Sequence, residues 1–248
     1  MTQLPPFPEL LDLIAERSAT FRSAFATTGD LGLRVPGCPD WTLRDLVVHL
    51  GQVQRSWAVR VAAGPADKPA TVTHEEPTGD LGEWSADSTR VLLDALRAAG
   101  PDRDCWTWWG ESEAPMTSGA VARHQVQEAA VHAWDAQETI GKPEPIPAGV
   151  AVDTVDEFLV VTLGSLGAWP HRPARFALSA VEGPAWTLDL TPAGVKSGPA
   201  ASGEPLATLR GSASDLVLAL YHRIPLDSLD VDGDRKAVEE LLAWAGTA

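Results

Sequence analysis

The chain has 248 residues, a formal net charge of −15 and a pI near 4.7, with 44% hydrophobic and 21% charged residues. That composition is ordinary for a globular protein. With so little Lys and Arg it argues against nucleic acid and against anionic membrane surfaces as partners. No apolar run is long enough to span a bilayer, and the start MTQLPPFPELLDL lacks the basic and apolar stretches of a signal peptide, so a cytoplasmic location is expected.

In chain order, Pro5 to Leu31 reads as a first helix, with apolar residues at helical spacing in LLDLIAERSATFRSAFA. VPGCPDW reads as a turn. Thr42 is an N-cap with Asp45 as its capping-box partner, and the helix it opens carries Leu43, Leu46, Leu50, Val53, Trp57 and Val61 on one stripe. His49 lies beside that stripe and so faces the core or its edge. A long loop runs from Gly64 to Gly82. Trp84 to Ala99 is a third helix with Val91, Leu92, Ala95 and Leu96 inward. After a loop containing CWTWWGESEAP, a fourth helix continues to about Ile140, and Val150 to Leu166 forms a fifth.

Beyond Pro173 the texture changes. RFALSAVE and AWTLDLTP alternate as strands do and are joined by a Gly-Pro turn. LATLRG is a third strand, SDLVLALYHR a helix, LDVDG a short strand and RKAVEELLAWA a last helix. The expected class is therefore α+β: a helical domain over residues 1–170 followed by a small α+β domain over 173–248.

The two cysteines, Cys38 and Cys105, make neither a disulfide framework nor a zinc cluster. Cys38, in a turn leading into a helix, has two readings: an acidified thiol, or a small residue in a tight turn. The ten tryptophans cluster in CWTWWG and around Trp41, Trp57 and Trp134, where they suit either core packing or the wall of a ligand pocket. His74 and His171 read as exposed loop residues. His222 ends the penultimate helix, where a charge suits the helix dipole.

The chemistry concentrates in RHQVQEAAVHAWDAQ, Arg123 to Gln137. One face carries Val121, His124, Glu128, His132 and Asp135, while Val126, Ala129, Ala130, Ala133 and Trp134 flank it. Apolar flanks on both sides turn a polar stripe inward, and buried charges need partners. Zinc accepts His nitrogens and carboxylate oxygens, usually from three protein ligands at a catalytic site. Glu128 and His132 lie on adjacent turns, and His49 on a second inward helix supplies the third donor, as in metal sites of helix bundles. A Glu and His four apart also fit a solvated helix face, and His49 fits a satisfied core histidine, so a metal site and a plain polar network both remain open on spacing alone.

The stretches VPGCPDWTLRDLVVHLG, WTWWG and R…E…HAWDAQ, with the ending ATLRGSASDLVLALYHRIPLDSLDVDGD, resemble the mycothiol-dependent maleylpyruvate isomerase family over nearly the whole chain. The resemblance implies a DinB-like four-helix bundle followed by a sterol-carrier-like domain. It places zinc ligands on His49, Glu128 and His132, with Asp135 behind them as a partner or helix-orienting residue; His124, one turn before Glu128, reads either as a base beside the ligands or as a structural residue. Two polar positions of the family's helix are Gln127 and Ala133 here, which bears on the substrate.

The resemblance also implies mycothiol as thiol cosubstrate and a small electrophile, such as an unsaturated carboxylic acid, as substrate. A metal-bound thiolate would add to it, giving cis–trans isomerisation if it is then eliminated and thiol transfer if it is not. Arg223, in YHRIP, reads either as a charge at a helix C-terminus or as the group that holds a substrate carboxylate, with Arg123 the second candidate for that role. The competing readings are a zinc-water hydrolase and a non-catalytic metal- or thiol-binding sensor.

Overall fold

This computed structural model describes residues 4–73, 76–199 and 203–246. His74 and Glu75 of the long loop lie outside that range. The chain divides into two compact units, one of Pro5–Trp108 with Pro115–Glu144, the other of Trp109–Ala114 with Pro145 onward.

The first unit holds α1 (Phe7–Ala26), the hairpin β1 (Arg34–Val35) and β2 (Cys38–Thr42), then α2 (Leu43–Ala63), α3 (Leu81–Ala99) and α4 (Ser118–Thr139). Helix α1 packs on α3 and α4, and α2 packs on the same two, so the four close a ring around one core. Each of the last three helices opens on a side-chain cap. Thr42 and Asp45 form the full capping box of α2, while Asp80 and Thr117 accept from Glu83 and Ala120 backbone N–H groups. Phe21, Leu43, Leu46, Val47 and Leu50 fill one end of the core.

A buried polar thread crosses the bundle. The Gln54 amide donates to Ser18 Oγ at 3.0 Å, and Thr89 Oγ1 donates to Gln54 Oε1 at 3.0 Å, linking α1, α2 and α3. Every partner in that thread is satisfied, which is the condition for polar groups in a core to cost little.

VPGCPDW does not form the bare turn its Pro and Gly suggest. It is the β1–β2 hairpin, with Val35 paired to Cys38 and Arg34 to Thr42. Cys38 thus sits in a strand, four residues before the N-cap.

The second unit begins with α5 (Ala148–Glu157), which runs on through a π turn at Phe158–Thr162 and a 3₁₀ turn at Leu163–Ser165. Five strands follow: β3 (Ala174–Ala180), β4 (Ala185–Thr191), β5 (Gly194–Pro199), β6 (Ala207–Gly211) and β7 (Asp230–Gly233), in the order β5-β4-β3-β6-β7. The central pair β3–β6 is parallel and the other pairs are antiparallel. Helix α6 (Ala213–Leu220) crosses between β6 and β7, and α7 (Arg235–Ala245) ends the described chain. By its contacts α5 belongs with α6, in the second unit, although its composition matches the helices before it. The whole is α+β. No helix among the described residues is long and apolar enough to cross a membrane.

Candidate metal centre

Helix α4 carries the centre because it is buried nearly all round. Its alanines let neighbours approach closely, and Val121, His124, Gln127, His132, Ala133 and Asp135 are all buried. The polar stripe is turned inward, as its apolar flanks predict, with Glu128 alone of His124, Glu128, His132 and Asp135 left partly exposed. One helix away, the Thr42 capping box fixes the start of α2 and so the phase at which His49 projects.

His49, Glu128 and His132 each present a ligand atom, and all three atoms lie within 4.8 Å of one another. His132 Nε2 is 3.4 Å from Glu128 Oε2. Donors on a tetrahedral ion at about 2.0–2.2 Å stand roughly 3.3–3.6 Å apart, so the pair already has the spacing of two ligands of one ion. The His49 and His132 rings meet edge to face with centroids 5.1 Å apart. Two imidazoles and one carboxylate form a donor set suited to zinc, and the residues fit the ion.

The groups behind these donors are specific. Asp135, fully buried, lies with Oδ2 2.9 Å from His132 Nδ1 and accepts a hydrogen bond from it, with Nε2 turned toward Glu128. His124 lies on the other side, with Nε2 3.6 Å from Glu128 Oε1. Burial alone would raise the Glu128 carboxyl, but the hydrogen bond from His132 and the charges of His132, His124 and His49 outweigh it and hold it at about 2. Burial likewise works against a charged His132. Its hydrogen bonds to Asp135 and Glu128 prevail and push it up to about 9. Both carboxylates thus favour the protonated form of His132.

The hairpin supplies an element that the sequence does not advertise. Trp41, on β2, packs against His49 with the rings tilted by 44° and centroids 4.5 Å apart, and reaches to 6.4 Å from His132. The tryptophans of residues 105–110 divide between roles. Trp109 is fully buried, whereas Trp108 is 43% exposed and meets the His124 ring edge at 5.6 Å. Trp106 lies beside Trp57, and the Arg60 guanidinium packs over both indoles at 5.1 and 5.0 Å. Arg60 drew no attention in the sequence, where the only hint is its spacing from Trp57 on one helix face.

Arg123, on α4, is partly buried. Arg223 belongs to the second unit, and the backbone there explains its placing. The N–H groups of His222 and Arg223 donate to the carbonyls of Ala219 and Leu218, closing the end of α6 as a Schellman cap. His222 takes the left-handed position (φ 57°) usually given to glycine, and its Nε2 donates to the Leu242 carbonyl at 3.0 Å. This residue ties α6 to α7, a different role from the dipole charge suggested by its place in the sequence. The Arg223 guanidinium donates to the Tyr221 carbonyl at 2.8 Å. His171, 43% exposed as expected for its loop, stacks on Trp169.

With this geometry in view, two family comparisons are decisive. Residues 11–137 match the model of the mycothiol maleylpyruvate isomerase N-terminal domain, and residues 149–240 match that of the MDMPI C-terminal domain. The chain belongs to the mycothiol maleylpyruvate isomerase family. Two crystal structures share the family fold: that of the mycothiol-dependent maleylpyruvate isomerase (TM-score 0.61, 14% identity) and that of a histidine-to-alanine mutant of it (TM-score 0.62, 15% identity). Each match covers 92% of this chain and 93% of the other. No curated protein matches the sequence. At such identities the likeness establishes the fold, and the chemistry rests on this chain's own residues.

Proposed function

We propose that the chain is a zinc-dependent, mycothiol-using enzyme of the maleylpyruvate isomerase type, a cis–trans isomerase or thiol transferase acting on a small unsaturated acid. The observation that carries this reading is the convergence of His49, Glu128 and His132 within 4.8 Å from two facing helices of a family member. The three side chains would hold the ion, leaving a fourth position for a ligand. Zinc in that setting supplies Lewis acidity, under which a thiol gives up its proton near neutral pH.

The protein's own groups set the conditions. Asp135 keeps the His132 ring in one tautomer and orientation, so Nε2 remains the donor. Trp41 covers His49 and keeps water from that side of the ring. His124, against Glu128, is placed to hold a proton beside the carboxylate. For a dianionic substrate we assign one carboxylate to Arg223, with Arg123 as the second candidate.

The test is turnover of cis-unsaturated acids by the zinc-loaded protein, with and without mycothiol. Thiol-dependent loss of the cis isomer, abolished in His132→Ala, supports the proposal. Hydrolysis that proceeds without thiol contradicts it. Arg223→Ala is expected to raise KM for an anionic substrate well above its effect on a neutral one, and equal effects would remove that assignment.

A further inference from the structure

Arg60 is a partly buried cation without an anion. Its Nε–H is enclosed and has no hydrogen-bond partner, and among the described residues no carboxylate forms an ion pair with it. In a chain of net charge −15 that isolation is unusual. Arg55, on the same helix, shows the ordinary arrangement: it lies over Trp84 at 5.3 Å and pairs with Asp87 at 2.6 Å. Arg60 instead rests on two indoles, Trp57 and Trp106. A guanidinium laid on aromatic faces keeps its planar fork oriented while its charge remains uncompensated.

The surroundings connect it to the centre. Trp57 meets the His124 ring at 6.0 Å, Trp108 meets the same ring at 5.6 Å, and His124 touches Glu128. Along α2, Arg60 follows His49 by eleven residues, three turns on nearly the same face, about 16 Å between backbones. Helical side chains lean toward the helix N-terminus, and the long Arg60 side chain shortens that span. A position at the C-terminal turn of α2 would by itself suit a dipole charge. Stacking on two indoles with an enclosed Nε–H is not required for that role.

We propose that Arg60, held on Trp57 and Trp106, is a specificity-determining residue that binds a carboxylate of the electrophilic substrate, with the neighbouring indoles flanking the planar unsaturated carbons. The proposal rests on the functional reading above and adds a carboxylate subsite within the bundle itself.

Calorimetric binding of maleate to the zinc-loaded protein tests it, using wild type, Arg60→Met and Arg60→Lys. Dimethyl maleate serves as the neutral counterpart and inositol as a neutral polyol. Arg60→Met keeps an apolar stem on the indoles. It is expected to lower maleate affinity at least tenfold, with zinc content and affinity for the diester unchanged. Arg60→Lys, with charge but no fork, is expected to fall between; should Arg60→Met fail to fold, a threefold or greater loss specific to maleate in Arg60→Lys supports the proposal.

Any of the following overturns it: no maleate binding by the wild type, unchanged maleate affinity in the variants, or equal loss for the diester. A loss confined to inositol would also overturn it, marking the site as one for a polyol. Zinc content and thiol dependence are measured separately. Their failure with Arg60-dependent maleate binding intact would refute the enzymatic reading and leave the anion site standing.

Discussion

His132 stands between two carboxylates, and its environment governs how the site responds to pH. Its value, raised from 6.5 to about 9, means that its contribution to metal-free stability is complete below about 6.5 and is lost as pH rises through 9. Glu128, lowered from 4.5 to about 2, contributes above about 4.5 and loses that contribution as pH falls through 2. The metal-free pair therefore stabilises the bundle most between about pH 4.5 and 6.5. Zinc must displace the His132 proton, so apparent zinc affinity should climb between pH 6.5 and 9 by close to tenfold per unit, with one proton released. Competition titrations against a chelator would show it, and a flat profile would mean that His132 is not a ligand. Asp135→Asn removes the carboxylate behind His132 while conserving size. Zinc affinity is expected to drop about 10- to 100-fold with the fold intact, and an unchanged affinity would exclude the orienting role.

At the scale of elements, the site depends on where two helices begin. Thr42 and Asp45 fix α2, and the cap was plain in the sequence because Thr-x-x-Asp precedes an apolar run. Thr42→Ala should cost about 1 kcal/mol in denaturant unfolding. A cost near zero would mean that the β1–β2 hairpin alone sets the helix start. The inward stripe of α4 was equally legible, since apolar residues on both flanks of His124, Glu128 and His132 leave only one direction for it. What escaped the sequence depends on tertiary partners. VPGCPDW looks like a turn because Pro and Gly dominate it, and only the paired backbone reveals the hairpin that lays Trp41 on His49. Strand β5, GVKSGP, is a partly exposed edge strand with two glycines and a proline, so it lacks the alternation that marked β3 and β4. His222 in a glycine's conformation has no sequence signal at all, because the bond that holds it comes from Leu242, twenty residues away. Arg60 was missed for a similar reason: Trp106 lies beyond the next helix in the chain.

Across the whole molecule, the net charge of −15 opposes the approach of the anionic substrate proposed for it. Screening that repulsion should raise kcat/KM for an anionic acid about two- to fivefold between roughly 10 and 150 mM salt, while dependence on the uncharged thiol stays flat. A rate that falls with salt would place a positive field at the entrance instead. His49, Glu128 and His132, with Asp135 and the Arg60 cluster, all belong to the helical unit, so the proposed metal chemistry is assigned to that unit. The most direct test is the zinc content of protein purified without chelator, beside His49→Ala and Glu128→Ala variants shown by circular dichroism to be folded. One zinc per chain in the wild type and none in either variant is the predicted result. A wild type that stays metal-free after zinc is added back would contradict the account and leave α4 with a buried polar network in place of a metal centre.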